Sequence, residues 1–254
     1  MSSMGRKTIF SLALMAGSSL VFPTMAQAQN TSRADMVAQQ PGRMDQAVGQ
    51  WEYLTKQEEL PFASYAGFVT TYPDFPKQEL LRYRAEAALD RDAPSSQSLV
   101  AFFDKYPPLT NGGKARYALA LASLDRPEAF DVARKAWRGG PMSGPAELYI
   151  QGLFGGRFGP EDHDARMDAL LWQGDYEAAS RHVVRVSPAY REMAQARLAL
   201  LQGSTPTQAG LAIPNGALSD AGYVYNLTRH YRSSGQPYRA VELLATRAQF
   251  AAPA

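Results

Sequence analysis

Three times the chain writes a helix, a tight polar turn and a second helix that opens beside a small residue. The turns are Leu124-Asp125-Arg126-Pro127-Glu128-Ala129, Leu171-Trp172-Gln173-Gly174-Asp175-Tyr176-Glu177-Ala178 and Ser234-Gly235-Gln236-Pro237-Tyr238-Arg239-Ala240. In each, a breaker closes one helix and Pro or a charged residue starts the next. An alanine (Ala129, Ala178, Ala240) then lets the two backbones approach. One such hairpin cannot bury its own apolar face, so neighbours must stack. The alanines are 49 and 62 residues apart, which excludes a strict repeat of about 34 residues. The pattern predicts an all-α fold, an α-α superhelix of unequal, tetratricopeptide-like hairpins forming a curved solenoid.

Helical spacing of apolar residues supports this. Leu81, Ala85, Ala88 and Leu89 make one stripe; Leu99, Phe102, Phe103 and Tyr106 make another. Met167, Leu170 and Leu171 repeat the pattern, as do Val241, Leu244, Ala245 and Ala248. Val183, Val184 and Val186 are the best candidate strand, but they continue a helix begun after Asp175, so very little sheet is expected. Pro and Gly breakers, among them Pro107-Pro108, Gly112-Gly113, Gly139-Gly140-Pro141 and Gly159-Pro160, separate helices of about 10–18 residues. The Thr-, Pro- and Gly-rich stretch from Gly203 to Gly216 reads as a loop.

Residues 1–28 read as a secretory signal peptide. Arg6 and Lys7 precede an apolar run from Ile9 to Phe22, and Ala26-Gln27-Ala28 is a small-x-small cleavage site. Cleavage after Ala28 predicts a periplasmic protein that does not span the membrane. A flexible arm over 29–43 and one superhelical domain over 44–254 are expected to follow. The chain holds 26 basic and 24 acidic residues. Without Arg6 and Lys7 the two signs balance at 24 each, which argues against a nucleic-acid partner. With no cysteine there is neither a disulfide nor a thiolate metal site.

The stretch from Leu99 to Leu200 carries an ordered set of blocks. They are Leu99, Phe102-Phe103, Tyr106-Pro107-Pro108, Thr110, Gly113, Arg116, Ala118 and Ala120-Leu121; then Glu128-Ala129, Ala133-Arg134, Ala136-Trp137-Arg138 and Glu147. Asp164, Arg166, Asp168, Leu170-Leu171-Trp172, Ala178-Ala179 and Arg181 follow, and lastly Arg197, Ala199 and Leu200. Behind a signal peptide, this set resembles the superhelical U-shaped domain of soluble lytic murein transglycosylases. The resemblance implies non-hydrolytic cleavage of the β-1,4 bond between N-acetylmuramic acid and N-acetylglucosamine. One Glu would act as acid and then base, in a Glu-Ser pair of a separate lysozyme-like domain. No Glu is followed by Ser in this chain. It is therefore expected to be a fragment: a monomeric, inactive scaffold that embraces peptidoglycan glycan strands. A stand-alone periplasmic adaptor that binds a protein partner is the alternative.

The residues singled out are given structural roles. Trp137 and Trp172 would plug gaps between stacked pairs. Arg116, Arg138, Arg166, Arg181 and Arg197 would pair with Asp164, Asp168 or Glu147 to lock adjacent hairpins. No catalytic, cofactor or metal residues are assigned. Glu58-Glu59 and Glu161-Asp162 are adjacent pairs, which on a helix do not face each other. His163, His182 and His230 are scattered. Gly152 to Gly159 follows no strand, Asn111-Gly112-Gly113-Lys114 is no phosphate loop, and Met142-Ser143-Gly144 is no nucleophile elbow.

Overall fold

A computed structural model describes residues 41–246. The leader over 1–28 and nearly all of the arm over 29–43 lie outside the described residues. The chain divides into two compact units, residues 1–47 and 48–254. The described part of the first is the opening of helix α1 (Pro41–Lys56), which starts within the last three positions of the expected arm. Among the described residues the second holds eleven further helices: α2 (Phe62–Thr71), α3 (Gln78–Ala88), α4 (Ser96–Lys105), α5 (Asn111–Ser123), α6 (Ala129–Arg138), α7 (Gly144–Phe154), α8 (Pro160–Gln173), α9 (Tyr176–His182), α10 (Pro188–Leu201), α11 (Ala221–Ser233) and α12 (Pro237–Ala245). The fold is all-α, with no strand among the described residues.

The three turns join α5 to α6, α8 to α9 and α11 to α12. Each closes on a left-handed residue: Asp125 at φ 52°, Gly174 at 77° and Gly235 at 75°. Glycine adopts that conformation at no steric cost. Ala129, Ala178 and Ala240 are all buried. Side-chain caps fix the starts of other helices. Ser95 accepts from Ser98 N, Thr110 from Gly113 N, Asp175 from Ala178 N, Ser187 from Tyr190 N and Asp220 from Tyr223 N. Pro opens α8, α10 and α12, where its missing N–H costs nothing.

Helices pack mainly on the next and the next but one. α5 meets α4, α6 and α7; α8 meets α6, α9 and α10; α11 meets α8, α10 and α12. The core is therefore layered. A large cluster gathers Phe62, Phe68, Leu81, Leu89, Phe103, Leu121, Trp137 and Ile150. A second holds Met167, Leu170, Leu171 and Ala194, and a third Leu200, Tyr223, Val224 and Leu227. The Leu81 and Met167 stripes are wholly buried, and of the Leu99 stripe only Tyr106 is partly exposed.

Three expectations need correction. Val241 and Leu244 are exposed, with Ala248 outside the described residues, because α12 packs on α11 through Ala240 and no later described helix covers its other side. The valines do not prolong α9: it ends at His182, and Val183–Arg185 forms a 3-10 turn. Gly112-Gly113 does not separate helices but opens α5. The reason lies in Glu86, buried on α3. Its carboxylate accepts from Leu109 N (2.7 Å), Thr110 N (2.7 Å) and Thr110 Oγ1 (2.6 Å). A Cβ on Gly113 would fall 2.6 Å from the Glu86 Cδ.

In an open helix Gly→Ala is favourable by about 1 kcal/mol. At position 113 the sign should reverse. Gly113→Ala is expected to destabilise the protein by about 1–3 kcal/mol, the usual range for forced overpacking, read from urea unfolding.

Candidate functional site

Trp137 is the buried hub of α6, with side chains of α8 and α9 packed around it. Phe158 stacks on its indole at 5.0 Å and 16°. The Arg166 guanidinium, from α8, sits 4.2 Å from the ring centroid. Arg166 is fully buried, and its Nη1 donates to Gly140 O (2.6 Å) and Trp137 O (3.3 Å), at the C-terminal end of α6. Its Nη2 lies 3.1 Å from Glu147 Oε2 on α7, and Arg181 Nη2 of α9 approaches the same oxygen at 3.8 Å. Beside this seam is a cleft of about 410 Å³ lined by Glu147, Leu148, Gln151, Arg181, His182 and Arg185.

His163 and His182 are not scattered. Their rings are 5.4 Å apart, and both stand edge-on to Trp137, at 6.0 and 5.6 Å. They stand 19 positions apart, and the chain between them turns from α8 into α9, which the spacing alone did not reveal. His182 Nε2 donates to His163 O at 3.0 Å. Burial pushes both imidazoles down, with the nearby Arg166 and Arg185 charges adding to it; His182 is held at about 4 against an ordinary 6.5. Among the described residues no three His, Asp or Glu side chains gather as metal ligands.

Arg138 is half-exposed, and its Nε lies 3.4 Å from Asp162 Oδ1. Arg134 Nε holds that oxygen more tightly, at 2.7 Å. Asp162 also accepts from Gly159 N at 3.0 Å, capping α8. Burial opposes its charge, but the Arg134 hydrogen bond, the Gly159 N–H and the two guanidinium charges outweigh this and hold its carboxyl low. Asp162 thus points inward while Glu161 stays exposed, 3.5 Å from Arg134 Nη2. Of the expected pairings, Arg166 and Arg181 meet Glu147, and Arg197 meets Asp168. Arg116 instead reaches Asp90 at 3.7 Å, and Arg138 takes Asp162. Asp164 pairs with no arginine: it caps α10, accepting from Ser187 N (2.8 Å) and Ser187 Oγ (2.6 Å).

Trp172 departs most from expectation. It plugs nothing: it is 39 % exposed. Leu171 takes the core position, and a helix turns about 100° per residue, which carries Trp172 to the surface. There its ring packs on Tyr225 of α11, with centroids 4.7 Å apart and planes tilted by 32°. Below lies Arg197, buried, 5.7 Å from the indole. Its Nε donates to Asn226 Oδ1 (2.8 Å), and its Nη1 to Tyr190 Oη (2.9 Å) and Asp168 Oδ1. Asn226 Nδ2 in turn donates to Leu171 O at 3.1 Å. Asn226 was missed, although a polar residue among Tyr223, Val224 and Leu227 signals a buried hydrogen-bond anchor. No sequence signal marks Tyr225.

No helix among the described residues is long and apolar enough to cross a membrane. No family model, no curated protein and no solved structure matches this chain.

The two tryptophans should separate sharply under truncation. Trp137→Ala is expected to cost about 3–5 kcal/mol, as for a buried aromatic, and Trp172→Ala about 1 kcal/mol, the scale of one aromatic pair. Equal losses in chemical denaturation would contradict the geometry.

The histidines set a pH dependence. The unfolded chain takes up the His182 proton near pH 6.5, the folded one only near 4. Above that window His182 contributes no slope; as pH falls through it, stability declines by roughly 3 kcal/mol and then levels off. His182→Gln should flatten this limb of a stability-versus-pH curve.

Proposed function

We propose that the chain is the non-catalytic scaffold of a periplasmic lytic transglycosylase: an exported, monomeric α-α superhelix that embraces peptidoglycan strands while the bond is cut elsewhere. One observation carries this reading. Several of the residues through which the chain resembles that family lock successive hairpins. Trp137, Glu147, Arg166 and Arg181 join α6 to α9, and Asp168 and Arg197 join α8 to α10. The resemblance is thus one of seams, the part of a helical stack that fixes its geometry.

The same seams occupy three acidic side chains. Glu147, Asp162 and Asp168 are each held by one or two guanidiniums. Glycosidic cleavage generally asks for a raised-pKa acid facing a second carboxylate across a cleft; Asp162 is shifted the other way. Such a chain contributes surface rather than proton transfer.

The protein-adaptor reading also has an observation in its favour. A groove of about 500 Å³ runs between α2 and α4, with Phe62, Ala66, Phe102 and Tyr106 beside Ser95, Ser98 and Lys105. Its size and mixed lining suit a short peptide.

Cosedimentation decides between them. The purified chain is expected to pellet with peptidoglycan sacculi and to release no anhydro-muramoyl ends on prolonged incubation. A chain that stays in the supernatant favours the adaptor; anhydro products would show catalysis and overturn the scaffold reading.

A further inference from the structure

We propose that the Trp172–Tyr225 pair and the arginines beside it form a docking site for a carboxylate-bearing amino-sugar glycan. This rests on reading the chain as a glycan-holding scaffold and names the place of contact. Both rings are about two-fifths exposed, at 39 % and 40 %, yet pack on one another. An exposed aromatic pair held in a fixed orientation is a platform on which the C–H face of a pyranose ring can lie. The orientation is fixed from below by Arg197, whose guanidinium is buried and tied to Asp168, Tyr190 and Asn226.

Next to the platform, an open surface concavity of about 440 Å³ runs along one face of α11, lined by Tyr225, Thr228, Arg229, Arg232 and Ser233. That lies within the size range of small-ligand sites. The Arg229 guanidinium lies over Gly174, two residues past Trp172, in space that a side chain at 174 would fill. Arg229 and Arg232 make no ion pair and no side-chain hydrogen bond among the described residues. By contrast Arg84, Arg116, Arg134, Arg166 and Arg197 each face a carboxylate. The Thr228 hydroxyl is shielded from solvent and makes no hydrogen bond either. No acidic side chain lines the cavity.

The chemistry left open is specific. Two cationic forks want an anion with paired oxygens, which a carboxylate supplies in bidentate fashion. Hydroxyl and amide groups of a sugar suit Ser233, whose hydroxyl donates to His230 O and can still accept. A neutral glycan would satisfy the rings and leave both guanidiniums unanswered. A polyanionic nucleic acid wants a longer basic track than two arginines. An amino-sugar strand with a carboxylate on alternate residues answers all of these groups together.

Calorimetric titration of the full chain tests this. The probes are a tetrasaccharide of alternating N-acetylglucosamine and N-acetylmuramic acid, chitotetraose, and an acidic tetrapeptide. The muramic tetrasaccharide is expected to bind at least tenfold more tightly than chitotetraose. Trp172→Ala should weaken both glycans at least tenfold. Arg229→Gln with Arg232→Gln should weaken only the carboxylate-bearing one. Circular dichroism melts of the variants confirm that they fold, since the altered side chains are surface groups. Equal affinity for the two glycans, unchanged affinity in Trp172→Ala, no binding of either glycan, or equal binding of the peptide would overturn the proposal. If the Trp172→Ala chain still pellets with sacculi stripped of their peptides, whose muramic carboxylates are free, as the parent does, the scaffold reading survives and this site falls. If the parent does not pellet, the broader reading falls as well.

Discussion

Short helices have many ends, and each end leaves up to four backbone groups without an internal partner. In a stack of hairpins those ends are pressed against neighbours rather than water, so they must be satisfied from the side. This chain does it reciprocally. Arginines and amides donate to C-terminal carbonyls across a seam: Arg84 to Leu54 O at 2.7 Å, Arg166 to Trp137 and Gly140 O, Asn111 and Gln173 to Gly139 O at 2.5 and 3.0 Å, and Asn226 to Leu171 O. Carboxylates do the converse at N-termini. Asp92 accepts from Phe62 N at 2.6 Å, Glu86 from Leu109 and Thr110 N, and Asp164 from Ser187 N. The signs follow the helix dipole, with cations at the negative end and anions at the positive one. Apolar burial supplies the driving force, but these bonds decide which hairpin abuts which.

That division explains what the sequence disclosed. Turns and apolar stripes are local, and they were legible: Ala129, Ala178 and Ala240 are buried where a hairpin needs a small residue. Seam partners are set by three-dimensional neighbours, and they were legible only in part. The sequence set five arginines against Asp164, Asp168 and Glu147 without fixing which met which; Arg166 takes Glu147, while Asp164 went to a backbone N–H, which leaves no trace as a charge pattern. Trp172 shows a different limit. Side-chain size argues for burial, yet one step along a helix rotates a residue off the core stripe, and Leu171 already filled it. The turn between α8 and α9 brought His163 and His182 together from positions that look unrelated.

The two tryptophan neighbourhoods use the same pair of groups to opposite ends. At Trp137 the indole and the Arg166 guanidinium are both enclosed, and the contact is part of the framework. At Trp172 the Arg197 guanidinium is enclosed while the indole looks outward. A buried charge tied to several partners is costly to disturb, so Arg197, held by Asn226, Asp168 and Tyr190, makes a stiff base for an exposed ring. Surface recognition gains from such stiffness, because an aromatic that is already oriented loses little freedom when a ligand arrives.

Packing on the next helix and the next but one has a kinetic consequence. Most stabilising contacts join residues close in sequence, so little chain need be closed into large loops before they form. Where each helix packs on its sequence neighbours, assembly can begin at any well-matched hairpin and spread to the next. Among the described residues α12 is packed on one flank only, through α11, and a helix so held opens at a lower free energy than the layers behind it.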